Sequence, residues 1–147
     1  MTFLFKISDM KTKKKETVSS LIRKLDTVFS QYIRLRDADT NGICRCISCG
    51  AAHHWTKIQN GHYVNRGHMS TRYDEKNCNS QCVSCNMFDE GNNIGYTRGL
   101  IRKYGIKVIE ELEAKKHSFC KRTPFEYKIL IDHYKKEVAR LKAEKNL

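Results

Sequence analysis

The sequence lacks long apolar runs. No stretch of about 18 apolar residues occurs, so we expect no membrane-spanning helix. Residues 1–5 are followed at once by Lys6, so we expect no secretory signal. Both absences predict a protein of the cell interior.

Acidic residues are also scarce. The chain has 16 Asp and Glu against 28 Lys and Arg, which gives a formal net charge of +12 and a pI near 9.5. An excess of this size predicts a polyanionic partner. Without apolar runs, that partner is expected to be nucleic acid rather than a lipid surface.

Internal repeats are missing too, and 147 residues suit one domain with a modest core. We therefore expect a single domain over 1–147. Its parts are predicted as a basic flexible tail over 1–15, an N-terminal helix over 16–37, a cysteine-rich core over 44–92 and C-terminal helices over 93–147.

Seven cysteines are present, and in an intracellular protein they are expected as metal ligands or free thiols rather than disulfides. Two Cys-x-x-Cys pairs, each followed by a turn-forming residue, are separated by 32 residues. Two such turns can meet around one tetrahedral ion, as in structural zinc sites. The predicted Zn²⁺ ligands are Cys46, Cys49, Cys82 and Cys85.

Other ligand sets are conceivable. Cys44 could replace Cys46, Cys78 could replace Cys82, and His54 could replace one thiolate, but only the chosen four form two matched turns. The remaining thiols are expected to pack as small, partly buried side chains. They are Cys44, Cys78 and Cys120.

Apolar residues between Val18 and Ile33 follow the spacing of one helical face, which predicts an amphipathic helix. Turn residues over 37–42 should end it. Two interpretations stay open for the long apolar stripe. It packs within its own domain, or it forms the seam of a homodimer.

Short strands are predicted over 53–59 and 62–64. Asn60 and Gly61 would lie between them or just inside the second, because Asn-Gly favours a hairpin turn. Residues 65–73 show no period and are expected to form a basic loop.

The last third is expected to be helical. A helix over 96–104 should end at Gly105, and a second should cover 106–116. Residues 123–126 are typical of a capping box that starts a helix over 124–145. The residues predicted to face inward are Ile106, Ile109 and Leu112 in the second helix, and Phe125, Ile129, Tyr134, Val138 and Leu141 in the third.

A histidine on a short hairpin beside a four-cysteine zinc suits phosphodiester hydrolysis, which needs a base, a cation and phosphate-holding donors. His62 is the predicted base because imidazole titrates near physiological pH. Asn77 would orient that ring or brace the loop, and Asn86 offers an oxygen to a hard ion. Alternatively, both asparagines are cap or turn residues. Other histidines, expected to be structural or at the surface, are His53, His54 and His68.

Four sequence runs carry a resemblance to a known family. They are YIRLRD at 32–37, CISCG at 46–50, GHYVNR at 61–66 and TRYDEKNCNSQCVSCN at 71–86. Together they resemble the bacteriophage NinG/Rap recombination endonucleases, which are zinc-containing HNH, or ββα-metal, nucleases. The match is good from about 28 to 105 and loose over the C-terminal helices.

The resemblance implies an α+β, mostly α fold with a small ββα-metal core pinned by the four-cysteine zinc. It implies a phage-encoded, Mg²⁺-dependent endonuclease of the host-cell cytoplasm that cuts Holliday junctions and D-loops. The T-even phage junction resolvase has a similar site, which supports His62 as base and Asn86 as a ligand of Mg²⁺ or Mn²⁺. Paired cuts need paired sites, so a homodimer is expected.

One position departs from the family pattern. Where the resolvase has an Asp before the base histidine, this chain has Gly61, which has no side chain. Asp74, Glu75 or Asn60 could supply the missing oxygen, and we favour Asp74.

Contacts to DNA are expected to go to phosphates, to read shape rather than sequence, and to depend strongly on salt. The residues predicted to make them are Arg66, Arg72, Arg98, Arg102 and Lys103. Two other functions fit the same sequence: a non-catalytic zinc module that binds nucleic acid, and a sequence-specific HNH endonuclease.

Overall fold

The computed structural model describes residues 15–147, so the basic tail predicted over 1–15 lies outside the described residues except for Lys15. The described chain forms helices and short strands, which confirms the mixed class with helices predominating. The elements are α1 (Val18–Asp37), β1 (Ile43–Arg45), β2 (Ala52–His54), β3 (Gln59–His62), β4 (Cys78–Gln81), a π-helical turn (Ser84–Phe88), α2 (Asn93–Tyr104), α3 (Lys107–Lys116) and α4 (Pro124–Lys145).

The main hydrophobic core lies between α1 and α4. The apolar stripe of α1 is buried there, so the structure shows packing within its own domain rather than an open seam. Burial of such a stripe is what stabilises an amphipathic helix in a small domain. The buried residues of α1 are Leu21, Leu25, Val28, Phe29, Tyr32, Ile33 and Leu35.

Both helices begin at threonine caps. Thr17 accepts a hydrogen bond from the Ser20 N–H at 3.2 Å. Thr123 accepts one from the Glu126 N–H at 3.3 Å, and the Glu126 carboxylate accepts one from the Thr123 N–H at 2.6 Å. The predicted capping box is confirmed.

The predicted inward face of α4 is wrong in its first two turns. Phe125 and Ile129 are 71% and 52% exposed, whereas Tyr127 and Ile131 are buried against α1. The buried positions follow spacings of three and four, so they share one side of the helix, and Phe125 lies two residues off that stripe. The stripe consists of Tyr127, Ile131, Tyr134, Val138 and Leu141.

The predicted pairing of the strands over 53–59 and 62–64 is wrong, whereas Asn60 and Gly61 do lie inside a strand, one of their two predicted positions. Asn60 and Gly61 lie inside β3, which pairs antiparallel with β4 so that they face Ser80 and Asn79. Strand β2 pairs with β1 instead. A Cβ at position 61 would collide with the side chain of Gln81, so glycine permits the close approach of the two strands. The ββα-metal core remains a prediction.

Helix α2 starts at Asn93, earlier than predicted, and ends as predicted at Gly105, whose φ is +86°. In α3, Val108 and Leu112 are buried, but Ile106 is 71% exposed, so its predicted inward position is wrong. Ile106 is the residue before the helix rather than part of its buried stripe.

Helix α2 lies very close to the first Cys-x-x-Cys turn. A Cβ at Gly95 or Gly99 would collide with the backbone carbonyl oxygens of Ser48 and Ile47, respectively. The two glycines therefore allow α2 to contact the turn directly. Among the helices of residues 15–147, none is long and apolar enough to cross a membrane.

Candidate metal centre and active-site cavity

The four predicted zinc ligands come together in the structure. The first pair follows β1 in a turn closed by the Gly50 N–H and the Cys46 carbonyl (2.8 Å), and the second follows β4 in a turn closed by the Asn86 N–H and the Cys82 carbonyl (2.9 Å). A set of this kind could hold a metal ion such as zinc. The sulfur atoms that lie within 4.8 Å of one another are those of Cys46, Cys49, Cys82 and Cys85.

Amide groups point at the sulfurs. The Cys82 N–H lies 3.3 Å from Cys46 Sγ, and the side-chain amide of Asn92 donates to Cys85 Sγ at 3.3 Å. Asn92 also caps α2, because its Oδ1 accepts the Gly95 N–H at 3.1 Å. Hydrogen bonds donated to sulfur favour the thiolate, which is the form that binds metal.

The alternative ligands lie elsewhere. Cys44 and Cys78 are buried, and their thiols donate to backbone carbonyls. His54 is exposed and contacts the Thr56 hydroxyl at 2.8 Å. None of these side chains belongs to the sulfur cluster found among the described residues.

His62 is the last residue of β3, and its ring is held from one side. Nε2 lies 2.9 Å from the backbone carbonyl oxygen of Arg72. A carbonyl can only accept, so Nε2 carries the proton, and the neutral ring has its lone pair on Nδ1. Nδ1 has no hydrogen-bond partner among residues 15–147. Burial lowers the pKa of His62 below its usual value, which favours the neutral ring at pH 7.

The carbonyl that holds His62 is itself fixed by α1. The Arg72 guanidinium binds Asp26 through Nε at 2.9 Å and through a second, shorter contact, and the Tyr73 hydroxyl donates to Asp26 at 2.9 Å. Burial alone would raise the pKa of Asp26, but the bonds from Arg72 and Tyr73 lower it. The side chain of Arg72 is 13% exposed, so the structure places it in this ion pair rather than on the surface.

The sequence analysis did not identify Asp26, although its position within the apolar face of α1 marks it as unusual. It lies four residues after Ile22 and three before Phe29, so it shares the apolar face of α1. A carboxylate inside an apolar stripe needs a buried partner, and Arg72 is that partner here.

Asn77 is fully buried and connects both ends of the loop that precedes it. Its Oδ1 accepts the Val64 N–H at 2.7 Å, and its amide donates to the carbonyls of Val64 (3.1 Å) and Thr71 (3.0 Å). Of its two predicted roles, the structure therefore places it as a brace. Any effect on His62 would pass through the loop that ends at Arg72.

Asn86 lies in the π-helical turn and faces the same cavity as His62. Its amide donates to Gln59 Oε1 at 2.8 Å, and its Oδ1 accepts no hydrogen bond within the described part of the chain. This space, of about 360 Å³, is a candidate active site, and we call it the active-site cavity. Its lining residues include Asn60, His62, Arg66, Asn86 and Glu90.

Two oxygen groups at the active-site cavity are notable. Oδ1 of Asn60 is buried without a hydrogen-bond partner in the described structure, which is energetically costly. Glu90 is exposed in the left-handed backbone region, with φ of +44°. It was not predicted, and its one sequence signal is an acidic residue four positions after Asn86.

The structure does not bring Asp74 or Glu75 to the active-site cavity. Asp74 accepts the backbone N–H groups of Lys76 (2.9 Å) and Asn77 (3.2 Å) and pairs with Lys115. Burial alone would raise the pKa of Asp74, but Lys115 lowers it. Both carboxylate oxygens of Glu75 accept hydrogen bonds from tyrosine hydroxyls. These carboxylates stabilise the fold.

The residues predicted to contact DNA do not form one patch. Arg66 lines the active-site cavity with 62% of its side chain exposed. Arg98 is exposed on α2. Arg102 and Lys103, at the C-terminal end of α2, line a separate cavity.

Together, the fold and the site define a class: a small helix-and-strand protein with a four-cysteine cluster that could hold a metal ion, beside a cavity lined by a histidine. Comparison with known families gives the particular one. A family model described as "Bacteriophage Lambda NinG protein" matches residues 5–144, and the chain belongs to this family.

Relatives occur in several phages. Protein ninG of Salmonella phage P22 is 34% identical over 115 residues, which cover 72% of this chain and 53% of the relative. The proteins ninG of Escherichia phages 933W and lambda are 33% and 32% identical over 96 residues, which cover 63% of this chain and 44% of each relative. The chain thus spans about half the length of these relatives. No solved structure matches it significantly.

Proposed function

We propose that this protein is a Mg²⁺-dependent, zinc-stabilised endonuclease that hydrolyses phosphodiester bonds in branched DNA, such as Holliday junctions and D-loops. The observation that supports this most is the state of His62. Its Nε2–H is tied to a backbone carbonyl, its pKa is lowered by burial, and Nδ1 is left as an acceptor in a ring that lines a polar cavity. The net charge of +12 suits DNA.

His62 would act as general base. Nδ1 accepts a proton from a water molecule as the water oxygen attacks phosphorus. The bond between phosphorus and O3′ breaks as the new P–O bond forms, so one product ends in a 5′-phosphate. The departing O3′ takes a proton from solvent, and His62 releases its own proton to solvent before the next cycle.

The oxygens of the active-site cavity fit a hard divalent ion. Mg²⁺ and Mn²⁺ prefer carboxylate and amide oxygens, and Asn60, Asn86 and Glu90 offer both kinds. The bound ion would offset negative charge on the phosphoryl oxygens. We propose these three residues as its ligands in place of Asp74, whose oxygens are engaged elsewhere, with Asn60 one of the alternatives foreseen from the sequence.

The zinc would be structural. Four thiolates fill a tetrahedral ion's coordination, so no position would be open to substrate. Its role is to fix Asn86, which directly follows the last cysteine, beside the strand that carries His62.

The test compares a synthetic four-way junction with a linear duplex of the same sequence. Each is incubated with zinc-loaded protein and Mg²⁺, with His62→Ala alongside and His54→Ala as the matched control. We expect nicks in the junction, retained by His54→Ala and reduced by a factor on the order of 10²–10⁴ in His62→Ala. Junction binding by His62→Ala should persist.

The outcomes separate the alternatives. Binding without cleavage in Mg²⁺ and Mn²⁺ would reassign the protein as a non-catalytic zinc module. Cuts at defined sequences in linear DNA would favour a sequence-specific HNH endonuclease. Symmetric paired nicks would support a homodimer, because one site cuts one strand at a time.

A further inference from the structure

A second cavity, of about 520 Å³, lies between the end of α1, the first Cys-x-x-Cys turn and the C-terminal half of α2. We call it the basic cavity. It shares no lining residue with the active-site cavity. Its charged lining residues are Arg36, Asp37, Arg45, Arg102 and Lys103.

The basic cavity carries more positive charge than its own acid neutralises. Asp37 is its one acidic lining residue and pairs with Arg36 at 2.8 Å and Lys103 at 3.0 Å. Arg45 and Arg102 are exposed, and neither makes an ion pair or side-chain hydrogen bond within residues 15–147. Two guanidinium groups at one concave surface can bind phosphate in a bidentate manner.

Two of the cations that line the basic cavity are held by hydrogen bonds. The Arg36 guanidinium donates to the carbonyls of Glu75 at 2.7 Å and Cys78 at 3.0 Å. Lys103 donates to Asn79 Oδ1 at 2.8 Å. These bonds fix Arg36 and Lys103 before any ligand arrives, whereas the guanidinium groups of Arg45 and Arg102 are left free to contact a phosphate.

The two cavities lie at opposite ends of α2. Asn93, the first residue of the helix, lines the active-site cavity, and Arg102 lines the basic cavity. The nine-residue step between them corresponds to about 14 Å along a helix axis. One phosphate cannot touch both, so a ligand at the basic cavity is distinct from the phosphate at His62.

We propose that the basic cavity is a second, non-catalytic binding site for a backbone phosphate of DNA, with Arg45 and Arg102 as its principal contacts. This inference rests on the proposed function for the identity of the nucleic acid, and it adds Arg45, which the sequence did not indicate. The ligand is a phosphodiester away from the cleaved bond, which would fix how the substrate lies across the protein.

The experiment uses zinc-loaded protein carrying His62→Ala, so that it depends on binding and not on cleavage. Affinity for a four-way junction is measured against salt concentration, with and without the added double change Arg45→Ala and Arg102→Ala. The matched control is Lys107→Ala with Lys121→Ala, which removes the same charge from exposed positions without ion pairs in the described chain. Zinc content and melting temperature verify that both variants fold.

We expect the arginine pair to lower affinity about 10-fold or more and to make the salt dependence shallower by about one to two phosphate contacts. The lysine pair should change affinity less than about 2-fold. Equal losses in the two variants would overturn the proposal, because net charge alone would explain both.

A second arm locates the ligand. Single phosphates of the junction are replaced by uncharged methylphosphonates, one position at a time. At one position the substitution should weaken binding of the His62→Ala protein but not of the arginine variant, since both changes then remove the same contact. The absence of any such position would also overturn the proposal. Cleavage by unmodified protein is scored separately, so failure of the nuclease function is distinguishable.

Discussion

The core between α1 and α4 is apolar, whereas the strands that carry the site are surrounded by buried amides. We call the first the helical half; its rings pack edge to face, with Phe29 4.8 Å from Tyr134 and 5.5 Å from Tyr73. The hydrophobic free energy gained by burying these rings is non-directional and roughly proportional to the buried area. Such packing tolerates adjustment of individual side chains.

The site half, consisting of β3, β4, the π-helical turn and α2, depends on direction. The Tyr96 hydroxyl is fully buried and bridges the carbonyls of Gly61 (2.9 Å) and Asn77 (3.1 Å). Gln81 donates to Ser48 Oγ at 2.8 Å and to the carbonyl of Gly91 at 2.7 Å. Each group needs its partner, because a buried polar atom left alone costs about 1–3 kcal/mol. The positions of side chains and backbone are therefore fixed more tightly in the site half than in the helical half.

Loss of the metal should separate the halves most clearly. Cys82→Ser removes one sulfur of the proposed zinc site, whose binding free energy with all four thiolates is on the order of 10 kcal/mol. We expect hydrogen exchange to become fast in β3, β4 and α2 while α1 and α4 stay protected. Cys120→Ser, outside the cluster, is the control and should leave protection and zinc content unchanged. Uniform loss of protection would show that the halves are one cooperative unit.

Phe29→Ala should break the helical half. The side chain is 1% exposed within the main core, and removal of a buried phenylalanine ring costs about 3–5 kcal/mol. Urea unfolding should show this loss, while zinc content of the folded protein stays unchanged. The exposed Phe119→Ala, 92% exposed, is the control with little expected change. A loss of zinc in Phe29→Ala would contradict independent halves.

Asn77→Asp should also weaken the site half, by more than the roughly 1–3 kcal/mol of one unsatisfied neutral group, because it buries a carboxylate against two carbonyl oxygens. The substitution keeps the acceptor for the Val64 N–H but removes the two donors to the carbonyls of Val64 and Thr71. Because those bonds brace the loop before His62, we expect cleavage to fall more than stability does. The exposed Asn41→Asp, which does not line the active-site cavity, is a control for added charge. Unchanged cleavage in Asn77→Asp would refute the bracing role.

The smallest effect should be the pH dependence due to His62. Its pKa is lowered in the folded protein, so the unfolded chain binds more protons just below the usual pKa of about 6.5. Stability from the buried neutral ring is therefore complete above that value and is lost as pH falls toward the folded pKa. Chemical unfolding between pH 5 and 8 should show this slope, reduced in His62→Gln. An identical slope in the variant would assign it to other groups.

The sequence predictions that the structure confirms rest on local patterns. The two Cys-x-x-Cys turns and the capping box at Thr123 each lie within a few residues, so spacing suffices to recognise them. The strand that pairs with β3 could not be predicted from such short-range spacing. Locally, Asn60-Gly61 favours a turn. Gly61 nevertheless lies in a strand, because β3 pairs with β4, which follows the loop and places Gln81 against Gly61.

The carboxylate of the proposed Mg²⁺ site could not be predicted from sequence proximity either. Asp74 is closer in sequence to His62 than Glu90 is, yet its oxygens close a turn and pair with Lys115, and Glu90 lines the cavity. Sequence distance does not reveal which side chains are already engaged. Only the hydrogen-bond partners of each oxygen distinguish these two acids.

The start of α2 at the sulfur cluster has an electrostatic consequence. A four-thiolate zinc site is negatively charged, and the N-terminal end of a helix carries partial positive charge. Asn92 joins the two, since its amide contacts Cys85 Sγ and its oxygen caps the helix. With zinc bound, the peptide dipoles of α2 would supply part of the counter-charge of such a site, and Gly95 and Gly99 let the helix lie close to the first Cys-x-x-Cys turn.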